Sequence, residues 1–191
     1  MILIASLGVV VATVVAAGGR LGRLAALRLR HPELVLAALL LQVLVINVLP
    51  TALPGPVAAA IHLATYAMAA LFVYLNRRIR GLWLIMVGGG CNLAAIAANG
   101  GEMPASRRAL AASGRLGGSG FHNSGVVAHA HLAFLGDIFD VPRGWPLANV
   151  FSAGDIGLLI GAFIFLHVAC GSRLGRRARR VRRDDEVPVP A

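Results

Sequence analysis

The sequence predicts an all-α, polytopic membrane protein with five transmembrane helices, an extracytoplasmic N-terminus and a cytoplasmic C-terminus. Three observations predict this fold class. Apolar residues make up 58% of the 191 residues, charged residues make up only 14%, and the mean hydropathy is +0.77. A globular domain in water carries about a quarter charged residues, so the composition excludes that class, and it also excludes a disordered chain.

Five apolar runs define the predicted transmembrane helices, at about residues 1–19, 33–49, 57–75, 82–98 and 155–171. The first run has 19 residues, which as a helix would cover roughly 28 Å, close to the hydrocarbon thickness of a bilayer. No positive charge precedes it, so we expect a retained helix rather than a cleaved signal peptide. Residues 1–171 are therefore predicted to form a single transmembrane domain, and residues 172–191 a basic cytoplasmic tail.

The placement of the arginines predicts the orientation. All 18 basic residues are arginines, and 14 of them fall in residues 20–30, 77–80 and 173–183. These segments lie on one side of the predicted helices, which the positive-inside rule assigns to the cytoplasmic face of a plasma membrane. The net charge of +10 is then a topology signal that also attracts anionic membrane lipids. No nucleic-acid partner is expected, because no recognition motif accompanies the arginines.

The segment 99–154, between the fourth and fifth predicted helices, is expected on the extracytoplasmic side. It opens with a Gly- and Pro-containing turn, and Ser106–Gly114 is predicted to form a short helix. Val126–Phe139 is too short to cross a bilayer and too apolar for water, so we expect it to dip partly into the membrane. Trp145 follows it, where an interfacial aromatic anchor is expected.

Titratable groups concentrate in the same region, which is the strongest functional signal in the sequence. Of the five carboxylates outside the tail, four are Glu102, Asp137, Asp140 and Asp155. Two close carboxylates do not both ionise easily, so Asp137 and Asp155 could serve as the acid and base of a hydrolase. The alternative is structural, because Ser152 and Asp155 have the spacing of a capping box at the start of a helix.

Other polar side chains complete the predicted binding site, namely Asn92, Asn99, Glu102 and His131. Asn92 falls within a predicted membrane helix, where it would make an interhelical hydrogen bond or line the floor of a cavity. A zinc-like set of His122, His129, His131 and Asp137 is a further alternative. Its spacing matches no standard zinc motif, so we expect neither a metal nor another cofactor.

Two resemblances add to this interpretation. Asn99-Gly100-Gly101-x-Met103-Pro104, Phe134-Leu135-Gly136-Asp137 and Ser152-x-Gly154-Asp155 resemble an uncharacterised family of bacterial multi-pass membrane proteins over roughly residues 1–171. That resemblance implies the five-helix fold and no established activity. The stretch from Trp145-Pro146 through Asn149 to Asp155 and Gly161 locally resembles the last part of lipoprotein signal peptidase, which implies that Asp155 is a catalytic aspartate. The second aspartate motif of that peptidase is not matched, because Asn92 has no acid nearby in the sequence.

The sequence therefore predicts an integral plasma-membrane protein with an outward-facing polar site and no assigned activity. Two more specific hypotheses stay open. One is an aspartate-dependent membrane hydrolase acting on a lipid-linked or membrane peptide substrate. The other is a non-enzymatic assembly or transport accessory that binds a membrane protein or a lipid-linked partner.

Overall fold

A computed structural model describes residues 2–48, 52–116 and 124–177. Its helices are α1 (Ile2–Ala16), α2 (Pro32–Val43), α3 (Gly55–Leu75), α4 (Leu82–Ala98), α5 (Arg107–Ser113) and α6 (Ala153–Ala169). Its strands are β1 (Met103–Pro104), β2 (Ser124–Gly125), β3 (Phe139–Val141) and β4 (Asn149–Phe151). Short 3₁₀ helices cover Leu21–Leu24 and Ala133–Leu135, and a π-helical turn covers Leu44–Val48.

The prediction of five transmembrane helices is wrong. Among the described helices, α3 with 21 residues is the one that is long and apolar enough to cross a membrane. The other four apolar helices have 15, 12, 17 and 17 residues. At about 1.5 Å per residue they extend over roughly 18 to 26 Å, which is less than the hydrocarbon thickness of about 30 Å.

Two of the apolar runs, 1–19 and 33–49, are longer than the helices they predict, α1 and α2. Helix α1 ends before Gly18, whose φ of 71° takes the chain out of the helix. Helix α2 gives way at Leu44 to the π-helical turn. Glycine adopts the positive φ that ends α1 without steric cost, and a hydropathy count does not distinguish such a glycine from a helical residue. The runs 82–98 and 155–171, by contrast, have the same length as α4 and α6, which are themselves short for a bilayer at 17 residues each.

The expectation of an all-α fold is also wrong, because the described part of the 99–154 segment contains short strands. Strand β1 pairs in parallel with β2, and β3 pairs antiparallel with β4. Helix α5 packs on this hairpin through a small apolar core whose members are Ala105, Ala109, Leu110 and Val150. The predicted short helix is confirmed as α5, with Ser106 as its N-cap and Gly114 as its C-cap.

Helices α4 and α6 make the closest helix–helix contact, through glycines on both helices. A Cβ atom at Gly88 would lie 2.6 Å from the carbonyl oxygen of Gly154, and one at Gly157 would lie 3.1 Å from the Cα of Gly88. A Cβ at Gly161 would lie 2.7 Å from the backbone nitrogen of Ile85. The two backbones therefore touch along most of their length.

Backbone contacts align the ends of the helices. At one end the Arg20 amide donates to the Cys170 carbonyl oxygen at 3.0 Å, and the Arg30 amide donates to Asn76 Oδ1 at 2.9 Å. At the other end, the described part of residues 99–151, which we call the covering segment, contacts α4 and leads directly into the N-terminus of α6. We call these the arginine end and the carboxylate end.

Candidate functional site

Asp155 lies in the first turn of α6 and closes its N-terminus. Ser152 Oγ accepts a hydrogen bond from the Asp155 amide at 3.0 Å, and Asp155 Oδ2 accepts one from the Ser152 amide at 3.1 Å. This reciprocal pair confirms the capping box predicted from the sequence. The carboxylate also lies at the positive end of the helix dipole, which stabilises negative charge there.

Asn92 of α4 connects this cap to the neighbouring helix. Its Nδ2 donates to Asp155 Oδ1 at 2.8 Å, and its Oδ1 accepts from Ser152 Oγ at 2.8 Å. The buried amide is thus satisfied on both sides by interhelical hydrogen bonds, the first of the two roles predicted for it. Gly154 makes the approach feasible, since a Cβ atom there would lie 1.9 Å from Asn92 Oδ1.

Asp137 reaches the same end of the molecule from the covering segment. Its amide donates to the Pro104 carbonyl oxygen at 2.9 Å, and its own carbonyl oxygen accepts from the Ser106 amide at 3.0 Å. These bonds hold the carboxyl group at 4% exposure, where one oxygen accepts a hydrogen bond from the Ser124 hydroxyl. Gly136 permits the turn, since a Cβ atom there would lie 2.1 Å from the Pro104 carbonyl oxygen.

Burial raises the pKa of Asp137 to about 6, and the charge of Asp155 contributes to the increase. The Ser124 hydrogen bond and the charge of Arg115 act in the opposite direction. Removing a carboxylate from water disfavours its ionised form, and a second negative charge nearby adds to the effect. The structure therefore brings Asp137 and Asp155, which are 18 positions apart, close enough for their charges to interact.

Tyr66 of α3 completes the arrangement. Its side chain interacts with Asn92 and experiences the charges of both Asp137 and Asp155. His62 lies one helical turn away, with its ring edge-on to Tyr66 at a centroid distance of 5.3 Å. We call Tyr66, Asn92, Ser124, Asp137, Ser152 and Asp155 the carboxylate cluster. It joins three helices to the covering segment.

The other three predicted binding residues occupy neighbouring positions with different contacts. The Asn99 side chain exchanges two hydrogen bonds with the His131 backbone, at 2.8 and 2.9 Å, and donates to the Ala95 carbonyl oxygen at 2.7 Å. Asn99 thereby ties the covering segment to α4, while the His131 side chain is exposed. The Glu102 carboxylate lies against Gly125, where a Cβ atom would lie 1.9 Å from its Oε1.

The zinc-like alternative receives no support from the part of the chain that the structure describes. Within that part, no group of three or more His, Cys, Asp or Glu side chains could hold a metal ion. Both His129 and His131 are exposed, whereas Asp137 is buried. His122 lies outside the described residues.

Two members of the cluster were not identified from the sequence. Tyr66 looked like an ordinary aromatic residue of an apolar helix, although its spacing of four from His62 places both on one helical face. Ser124 lies in a Gly- and Ser-containing stretch, and only the pairing of β2 with β1 brings it to Asp137. Long-range strand pairing of this kind has no local sequence signal.

The fold and the cluster together define a helical protein with a group of buried polar side chains at one end, under a small α/β cover. A family model of unknown function, DUF5317, matches residues 26–167, which is most of the chain. The chain therefore belongs to this family. No curated protein and no solved structure matches it.

Proposed function

We propose that this chain is an integral protein of a bacterial plasma membrane, with its carboxylate end on the extracytoplasmic side. Support for the membrane location comes from α3 and from apolar side chains exposed on the shorter helices. These include Val9 on α1, Leu36 and Leu40 on α2, and Val87 on α4, with Leu40 reaching 70% exposure. Water disfavours such surfaces by about 25 cal/mol per Å², whereas lipid does not.

Support for the orientation comes from the contrast between the ends. The arginine end carries Arg20, Arg23, Arg28, Arg30, Arg77, Arg78, Arg80, Arg173, Arg176 and Arg177. Arginines next to apolar helices favour the cytoplasmic face, where anionic lipids also attract them. The carboxylate cluster then faces outward.

For the chemistry, the geometry best supports an aspartate-dependent hydrolase that acts on a lipid-linked or membrane peptide substrate. The observation that carries this proposal is the coupling of Asp137 with Asp155. The raised pKa of about 6 lets Asp137 hold a proton in mildly acidic solution, at and below about pH 6, and the Asn92 and Ser152 donors of Asp155 are suited to a carboxylate anion. Two carboxyl groups in different environments can divide the acid and base roles between them.

The corresponding reaction balances without a cofactor. Asp155 accepts a proton from a water molecule while the water oxygen bonds to the substrate carbonyl carbon, and Asp137 gives its proton to the carbonyl oxygen. When the tetrahedral intermediate collapses, Asp155 passes its proton to the leaving nitrogen or oxygen. Asp137 then recovers its proton from the intermediate, which restores both groups.

Isotope incorporation tests this chemistry without a known substrate. The protein in vesicles would be incubated with a total membrane extract in ¹⁸O-labelled water, and new carboxyl groups would be detected by mass spectrometry. We expect labelling by the wild type, loss of it in Asp137→Asn and Asp155→Asn, and retention in Asp140→Asn. Asp140 is a matched control, because it lies in β3 outside the cluster. Equal labelling by the wild type and the double Asn variant would contradict the proposal.

The second candidate is a non-enzymatic assembly or transport accessory. It is favoured by the engagement of both Asp155 oxygens in hydrogen bonds within the chain. Under this proposal Asp155→Asn would lower stability or weaken partner binding, and the ¹⁸O experiment would show no dependence on the carboxylates.

A further inference from the structure

Two turns of the covering segment expose apolar side chains to an unusual degree. The first turn, residues 132–138, contains Phe134 at 67% exposure. The second turn, residues 142–148, contains Trp145 at 71% exposure. Leu132, Ile138 and Leu147 are exposed beside them. We call these the two apolar turns.

The backbone of both turns is held in a conformation that favours glycine, yet leucine occupies it. Leu132 has a φ of 51° and Leu147 a φ of 66°. Residues with a Cβ atom avoid this region because the Cβ approaches the carbonyl oxygen. In water, the backbone strain and the exposed apolar side chain would both be unfavourable. Insertion of the side chains into an apolar layer would lower the free energy and so offset both the backbone strain and the cost of apolar exposure.

Charge is nearly absent from the surface of these turns. Between residues 124 and 151 the charged residues are Asp137, Asp140 and Arg143. Asp137 is buried and Asp140 is half-buried. Arg143, in the second turn, is exposed, and its side chain extends towards Gly114, where a Cβ atom would lie 3.0 Å from Arg143 Cδ. By contrast, Arg107 and Arg108 of α5 are exposed. The covering segment thus has an apolar part and a cationic part.

The apolar turns are also continuous with the exposed apolar surface of the helices. The Ala133–Leu135 turn contacts α4, and the Asn99–His131 hydrogen bonds fix it at the C-terminus of that helix. The second turn is followed by β4 and then directly by α6, which exposes Ile156 and Ile160. Tryptophan and phenylalanine at such a boundary are typical of the membrane interface.

We infer that both apolar turns insert into the interfacial layer of the outer leaflet, so that the covering segment lies on the bilayer rather than in water. This inference rests on the membrane location proposed above and is independent of the hydrolase chemistry. Lipid, rather than a partner protein, then covers the two apolar turns. The carboxylate cluster would then lie close to the lipid headgroups.

The two tryptophans of the chain provide the test, because they lie at opposite ends. Trp83→Phe leaves Trp145 as the reporter, and Trp145→Phe leaves Trp83, which is 55% exposed at the start of α4. Two further variants carry both of these changes. One adds Phe134→Trp to report on the first turn, and the other adds Arg108→Trp as a water-side control. All are reconstituted in phosphatidylcholine vesicles whose acyl chains are brominated near the headgroup.

Bromolipid and acrylamide quenching then distinguish the outcomes. We expect tryptophan at 134 and 145 to be quenched by bromolipid to within about twofold of Trp83 and shielded from acrylamide, while tryptophan at 108 responds to acrylamide alone. Lipid quenching of Trp83 but not of positions 134 or 145 would overturn the inference and leave the membrane location intact. Shielding of either turn from both quenchers would also overturn it and indicate a protein contact. If bromolipid does not quench Trp83 either, the result would contradict the proposed membrane location itself.

Discussion

The charged side chains at the two ends of the molecule differ in number and in how closely the protein surrounds them. At the arginine end the guanidinium groups are numerous, and within the described residues none forms an ion pair with a carboxylate. At the carboxylate end Asp137 is buried and Asp155 is bonded to two helices. The arginines therefore act through their number and position, whereas each carboxylate acts through its particular contacts. Single substitutions should therefore have large effects at one end and small effects at the other.

The largest effect is expected where α4 and α6 hold the carboxylate end together. Gly154→Leu places a side chain against Asn92 and the Gly88 carbonyl oxygen, so we expect destabilisation by more than about 4 kcal/mol. Thermal unfolding in detergent measures it. Gly90→Ala is the control, because a Cβ atom there meets nothing within 4 Å. Its stability should be unchanged or slightly increased, since alanine favours the helix.

The next effect is the pH dependence that Asp137 produces. Its folded pKa of about 6 exceeds the ordinary aspartate pKa of 3.8, so the folded state binds the proton more tightly than the unfolded state. The stabilisation is fully present below about pH 4 and is lost as the pH rises through about 6. We expect a loss of about 3 kcal/mol across this window from Asp137 alone. Chemical unfolding at several pH values should show Asp137→Asn with a flatter profile, and an equally steep profile would contradict the assignment.

A smaller effect is expected at the two serine residues that cap helices, Ser152 and Ser106. Ser152→Ala removes a buried hydroxyl that also bonds to Asn92, so it should cost about 2 kcal/mol. Ser106→Ala removes a weaker cap bond of 3.5 Å at α5 and should cost about 1 kcal/mol or less. Unfolding midpoints of the two variants give the comparison. Equal losses would mean that the Asn92 bridge contributes nothing.

The smallest effect on stability is expected at the arginine end. Replacing Arg77 and Arg78 by Gln should change the free energy of unfolding by less than about 0.5 kcal/mol for each residue, because both side chains are exposed. Protease accessibility of the C-terminus in sealed vesicles reports the orientation. Further replacements in residues 20–30 should increase the inverted fraction, because the positive-inside effect is cumulative. A large loss of stability from the first pair would contradict the contrast between the ends.

The sequence predicted local features better than long-range ones. The capping box at Ser152 and helix α5 each depend on residues within a few positions, and the structure contains both. The length of α1 was overestimated, since glycine counts as apolar whether it continues a helix or ends one, as Gly18 does. The strands were missed because they are two or three residues long and pair with distant segments.

The same division applies to the candidate site. Asp137, Asp155 and Asn92 were recognisable as polar groups that are costly to bury, which is a property of each residue alone. Their proximity depends on the bridge between Ala105 and Asp137, and no spacing in the sequence specifies that bridge. Tyr66 was missed for the same reason, because its role exists only when α3 packs beside α4.

Site-resolved titration of Asp137 tests the coupling of the two carboxylates most directly. Carboxyl ¹³C chemical shifts would be followed from pH 3 to 8 in the wild type, in Asp155→Asn and in Ser152→Ala. We predict a wild-type midpoint near 6 that falls in Asp155→Asn, because the neighbouring charge is removed. It should stay near 6 in Ser152→Ala, which loses the cap and keeps the charge. A midpoint that is the same in all three proteins would contradict the coupling, because Asp137 would then titrate independently of Asp155.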